Sequence, residues 1–188
     1  MAKVKLTEVR LSFPSLFNAE QYEGQGPFNY RAQFLFAPNS ANHKAVANAI
    51  SEAAKEKWKD KAKSILDAIK TQPQKYCLTD GNTKEYDGYK GMMALSASRK
   101  KESGRPLVID RDKTPLNEED GKPYAGCYVN ATVEIWIQEN KWGKGVRAQL
   151  LAVQFLKDGD AFSAGAFGSP DEFEDLSTES ETTEESLV

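Results

Sequence analysis

Apolar and polar side chains alternate along much of this chain. From Phe28 to Ala37, Phe28, Tyr30, Ala32, Phe34 and Phe36 interleave with Asn29, Arg31, Gln33 and Leu35, a period of two that predicts a strand with one strongly apolar face. Val4 to Phe13 is also strand-like. Its apolar phase moves from Val4 and Leu6 to Val9, Leu11 and Phe13, so a β-bulge is predicted near Thr7 and Glu8, bending the sheet toward a barrel. Met92 to Lys100, Leu107 to Ile109, Cys127 to Ile137 and Val146 to Lys157 supply further strands. In the last pair Val129, Ala131, Val133, Ile135 and Ile137 alternate with Tyr128, Asn130, Thr132, Glu134 and Trp136, and Trp142-Gly143-Lys144-Gly145 is the expected hairpin turn.

One region carries the other period. After Pro38, Asn39 or Ser40 can cap a helix in which Val46, Ile50, Ala53, Ala54, Trp58, Ala62, Ile65, Leu66 and Ile69 recur at helical spacing, with Pro73 stopping it. Five Lys residues from Lys55 to Lys63 lie on it, but Glu52, Glu56, Asp60 and Asp67 are interleaved, which describes a solvated face rather than a phosphate-binding ridge. Five or six strands, one long helix between early strands and Gly/Pro-bearing loops suit a mainly β fold: an OB-like, partly closed five-stranded barrel rather than a parallel sheet.

Charge divides the 188 residues unevenly. The segment Asp171 to Val188 carries Asp171, Glu172, Glu174, Asp175, Glu179, Glu181, Glu184 and Glu185 and no basic residue, so all 25 Lys and Arg stand upstream, against 20 of the 28 acids. A basic core tied to an acidic, Ser/Thr-rich tail fits a protein that handles a polyanion and limits its own grip on it. The expected organisation is a binding core over 1–160 and a disordered acidic tail over 161–188. The start lacks an apolar signal region and no run approaches a membrane span, so a cytoplasmic protein is expected. Cys77 and Cys127 read as buried free thiols, and the single His43 argues against zinc.

The loops concentrate aromatic and cationic residues. Lys84, Tyr86, Tyr89 and Lys90 fall between Thr79 and Gly91; Arg99, Lys100, Lys101 and Arg105 lie together; Tyr124 follows, and Lys141, Trp142, Lys144 and Arg147 surround the hairpin turn. Arg31 sits on a strand, which holds a cation in place. A single nucleic-acid strand exposes phosphates to neutralise and base faces to stack, and this mixture serves both needs. Enzyme signatures fail. Asp110-Arg111-Asp112 opens like a calcium loop, yet Pro115 replaces the required glycine and Gly121 the closing glutamate. Gly143-Lys144-Gly145 leads into a strand rather than the helix a dinucleotide site needs. Neither catalytic residue nor metal nor cofactor is expected.

The succession Tyr76-Cys77-Leu78, Asp80-Gly81, Ala94-Leu95-Ser96-Ala97-Ser98, Arg105-Pro106-Leu107-Val108-Ile109-Asp110, Tyr124-Ala125-Gly126-Cys127-Tyr128-Val129-Asn130-Ala131 and Gly159-Asp160-Ala161-Phe162 resembles the single-stranded DNA-binding proteins of tailed bacteriophages. The resemblance spans most of the chain. It implies an OB-fold core, sequence-independent binding of single strands, and a role in phage DNA replication, recombination and repair. In that reading the tail, with Phe173 among its carboxylates, competes for the DNA groove and contacts polymerase or helicase partners. By coil scaling, eighteen residues span about 20–25 Å, enough to cross a small barrel. A homodimer through an exposed sheet edge is compatible with the chain. A strand-annealing protein and a phage structural or adaptor protein stand as alternatives.

Overall fold

A computed structural model describes residues 2–162 and 174–177. Among these residues seven strands form one continuous sheet: β1 (Ala2–Tyr22), β2 (Gln25–Phe36), β3 (Leu78–Asp80), β4 (Met93–Lys100), β5 (Leu107–Ile109), β6 (Tyr128–Asn140) and β7 (Gly143–Lys157). Five of them, in the order β1-β2-β4-β7-β6 and back to β1, make a partly closed ring. Its pairs are antiparallel except β4–β7, a single parallel bridge at Ser98 and Gln149. The fold is therefore mainly β, as the alternation predicts, and β3, too short to carry a period, is the strand sequence reasoning missed.

The bulge predicted at Thr7 and Glu8 is present. The β1–β6 register slips between Leu6 and Val9, and Glu8 takes φ 51°. A bulge orphans backbone groups, which need partners. The Thr7 N–H donates to Asn42 Oδ1 at 3.0 Å, Asn42 Nδ2 donates to Thr7 O at 2.8 Å, and the Glu8 N–H donates to Asn130 Oδ1 at 2.9 Å. The phase change thus puts Val4, Leu6, Val9 and Leu11 all in the ring interior with Ala32, Phe34, Leu95, Ala97, Val133, Ile135 and Leu150.

β1 runs nine residues past its predicted end. Beyond Arg10 it leaves the β6 ladder and pairs with β2, and past the Asn29–Lys100 rung the two strands run on as an arm closed by the two-residue turn Glu23-Gly24 with φ 49° and 72°. Left-handed backbone at both turn positions matches the right-handed twist of a hairpin.

The helical pattern yields α1 (Ala41–Trp58), a 3₁₀ turn over Lys59–Lys61, and α2 (Ala62–Ile69). Ser40 is the N-cap, its Oγ accepting from His43 N at 3.3 Å. The single helix expected is broken at Lys59, whose φ of 51° departs from the α-helical path. Trp58 holds the break in place, donating from Nε1 to Glu139 Oε2 at 3.1 Å while its ring is buried against the core. The second hairpin also turns earlier than expected. Asn140 pairs with Gly143, so Lys141-Trp142 form a two-residue loop and Lys144 and Gly145 already belong to β7. Cys77 and Cys127 are buried and unpaired.

Candidate nucleic-acid interface

The ring's alternation leaves an outward face whose composition differs from the interior. Ladder partners share a face, so Gln33 with Ser96, Arg31 with Ser98, and Asn29 with Lys100 define outward rungs of β2 and β4. Ser98 continues across the bridge to Gln149 on β7, two residues from Arg147. The result is a strip floored by short or polar side chains with cations along it.

Its two ends are built by loops. At one end the segment between β3 and β4 folds back over the Leu35–Ala94 rung. Gly81 makes this closure possible, since a Cβ there would stand 2.1 Å from Tyr89 O and 2.5 Å from Met92 O. Tyr89 is fully buried against Leu35 and Ala94, and its hydroxyl donates to Gln33 Oε1 at 2.5 Å and meets Ser12 Oγ at 3.0 Å. Burial pushes its pKa up to about 12. Tyr89, expected from sequence to contact DNA, has no solvent-facing ring; it is the peg that seats the loop. Tyr86 stands above it, ring centroids 5.3 Å apart and 51% exposed.

Phe13 joins them, 4.8 Å from Tyr86 edge to face and 46% exposed. The sequence reading placed Phe13 on the inward face with Val9 and Leu11. A second slip in β1, between Ser12 and Ser15, turns it outward at φ 45°, in the left-handed region that bulky residues rarely adopt. The following Pro14 is the signal that could have found this, because Pro inside a strand marks a bulge or an unpaired edge.

At the other end, beyond the Asn29–Lys100 rung, Arg99 donates to Gly104 O at 2.8 Å and Ser103 O at 2.9 Å and so fixes the turn that follows β4. That turn carries Lys101, whose Nζ lies 5.4 Å from the Phe28 ring, and leads to Arg105, whose guanidinium lies 5.4 Å from the Phe17 ring of the arm. Cation and ring therefore stand in pairs there.

The remaining predicted residues are spread more widely. Arg31 donates to Glu20 O at 3.3 Å, and Arg147 donates to Gln138 Oε1 at 2.7 Å across the β6–β7 ladder. Trp142, 77% exposed, stands at the hairpin tip with Lys141 Nζ 4.9 Å from its ring, while Lys144 lies 3.9 Å from Glu139. Lys84 and Lys90 are exposed on the Tyr86 loop. Tyr124 is not on the strip. Its hydroxyl donates to Asp158 Oδ1 at 2.7 Å, which raises its pKa, and accepts from Gly159 N at 3.2 Å, anchoring the chain where it leaves β7.

Downstream of that anchor Phe162 packs over Arg10, 4.2 Å from its guanidinium, and against Gly88 of the Tyr86 loop. Of the acidic segment, Glu174 and Asp175 are exposed, with hydrogen bonds from Ser177 holding the Asp175 carboxyl below its usual value. Asp171, Glu172, Phe173, Glu179, Glu181, Glu184 and Glu185 lie outside the described residues. No group of three or more His, Cys, Asp and Glu among the described residues could hold a metal ion, and none of their helices is long and apolar enough to cross a membrane.

Comparison with known proteins bears on what this face does. A family model described as the ssDNA-binding protein of Enterobacter phage Enc34 matches residues 2–187. Protein p50 of Acyrthosiphon pisum secondary endosymbiont phage 1 is 50% identical over 177 residues, 93% of this chain and 94% of that protein. The structure of the bacteriophage Enc34 single-stranded DNA-binding protein in complex with ssDNA superposes with a TM-score of 0.68 at 28% identity, covering 86% of this chain and 90% of that one. A single-stranded DNA-binding protein encoded by bacteriophage T7 shares the fold, with a TM-score of 0.55 at 14% identity over 93% of this chain and 97% of that one.

Proposed function

This chain belongs to the family of the Enterobacter phage Enc34 ssDNA-binding protein, and on that premise we propose that it binds single-stranded DNA without sequence preference along the outward face of β2, β4 and β7. The observation that carries the reading is the strip itself. A floor of Gln33, Ser96, Ser98 and Gln149 leaves room for a backbone, Arg31, Lys100 and Arg147 stand along it, and aromatic rings and cations close both ends. A duplex hides its base faces, so rings at the surface reward a single strand.

The chemistry is neutralisation and stacking, with no covalent step. Each phosphate neutralised releases condensed counterions, and affinity for a single strand falls with salt at a log–log slope of about −0.7 per contact. Coating of this kind serves phage DNA replication, recombination and repair in the host cytoplasm. The acidic segment from Asp171 competes for the strip and, once displaced by DNA, is free to meet polymerase or helicase partners. Support for the competition comes from its eight carboxylates and from Phe162, upstream of the acidic segment, which packs against Gly88 of the Tyr86 loop.

The test is a fluorescence-anisotropy titration of labelled oligo-dT across a salt series, with the full chain and with a version ending at Phe162. Affinity that declines with salt and tightens several-fold on truncation supports both parts. Equal affinities for the two versions would remove the competing tail, and no binding by either would remove the function.

A further inference from the structure

We propose that Phe13 and Tyr86 form a nucleobase-stacking subsite, preorganised by the buried Tyr89; the inference rests on the single-strand reading above and assigns it a base-holding point. Three observations converge. Phe13 is a bulky residue held at φ 45° inside a strand, an unfavourable backbone that turns its ring out of the core. Tyr86 meets that ring edge to face at 4.8 Å, and each keeps about half of its surface open, 46% and 51%. Beneath them Tyr89 lies 6.4 Å from Phe13 and 5.3 Å from Tyr86, pinned by Ser12 and Gln33.

Tyr86 and Tyr89 cover only part of the Phe13 ring, and the strained backbone leaves 46% of the residue facing water. The arrangement gains its value if a flat apolar face arrives to cover it. The register identifies the visitor's chemistry. Phe13 lies between the rungs Ser12–Gln33 and Ser15–Arg31, so Arg31 is the strip cation nearest to it in register, available to the backbone of a strand whose base rests on the rings. Because Tyr89 is already immobilised, binding does not require the platform to be ordered first, and less affinity is lost to entropy.

The test uses the full chain with oligo-dT and with an oligonucleotide of equal length carrying abasic sites. Phe13→Asn removes the ring while tolerating left-handed backbone; Tyr86→Ser removes its partner, and Tyr86→Phe keeps the ring without the hydroxyl. Stacking predicts that Phe13→Asn and Tyr86→Ser each bind oligo-dT about tenfold more weakly, with the salt slope unchanged because no phosphate contact is lost. Tyr86→Phe should bind as the parent does. Both disruptive variants should also show a smaller penalty for abasic sites than the parent, the coupling expected when base and ring touch. Normal oligo-dT affinity in Phe13→Asn and Tyr86→Ser, with the parent binding well, would overturn the subsite alone. Variants that bind DNA normally but lose self-association in sedimentation would reassign the rings to a protein contact and equally overturn it. A parent that does not bind would overturn the single-strand reading and the subsite with it.

Discussion

The hydroxyl of Tyr89 joins two strands and a loop through one oxygen, donating to Gln33 on β2 and meeting Ser12 on β1. Removing it in Tyr89→Phe leaves a buried Ser12 hydroxyl and the Gln33 amide short of a partner, a loss of about 1–3 kcal/mol. Urea unfolding should show a lower midpoint at unchanged slope; an unchanged midpoint would mean water replaces the bond. Phe13 shows the opposite economy, since a left-handed bulky residue costs about 1–3 kcal/mol, and that strain is best understood through what its exposed ring contacts. Sequence could read neither residue. Composition put Tyr89 among the exposed aromatics of a loop, and only the closure at Gly81, a long-range fit, turns it inward. Arg31 was legible because its place on an alternating strand fixes which side it faces.

Elements are joined here by small polar links that periodicity does not announce. Asn42 of α1 closes the bulge of β1 with two hydrogen bonds, and Trp58 fastens the end of α1 to Glu139 of β6. The bulge itself was legible, because a phase change in an apolar strand has few other causes, and so was a cap at Asn39 or Ser40, of which Ser40 is the one used. The break at Lys59 was not, since apolar spacing continues unbroken through it and the Trp58–Glu139 hydrogen bond beside it is a tertiary contact. The Tyr86 loop depends on Gly88, which has φ 80° and whose added Cβ would stand 2.4 Å from the Phe162 ring. Gly88→Ala should therefore loosen the loop and the tail anchor together. Hydrogen exchange is expected to quicken at amides of residues 84–92 and weaken oligo-dT binding in step; unchanged exchange would show the loop to be independent of Phe162.

At the scale of the whole molecule, buried neutral groups set an alkaline limit. Burial raises Tyr76, Cys77 and Tyr89 to about 12 and Cys127 to about 11, from ordinary values of 10.0 for Tyr and 9.0 for Cys. The unfolded chain thus ionises first, the fold is favoured by the protonated forms, and their contribution is complete below about pH 9 and lost as pH rises toward 12. Chemical denaturation at pH 8, 10 and 11 should show stability falling at each step, and both thiols should react slowly with a disulfide reagent at pH 8. The ring was legible because strand count, a bulge and a single helical insertion leave few architectures. The strip was not, since it exists only when β4 and β7 meet at Ser98 and Gln149, 51 residues apart in sequence. The most direct measurement of whether that strip holds the strand is the salt dependence of oligo-dT affinity for the double variant Arg31→Ser with Lys100→Ser. Two lost phosphate contacts predict a log–log slope shallower by about 1.4, with weaker binding at low salt and thermal unfolding close to that of the parent; a parental slope and affinity in a folded variant would place the DNA elsewhere.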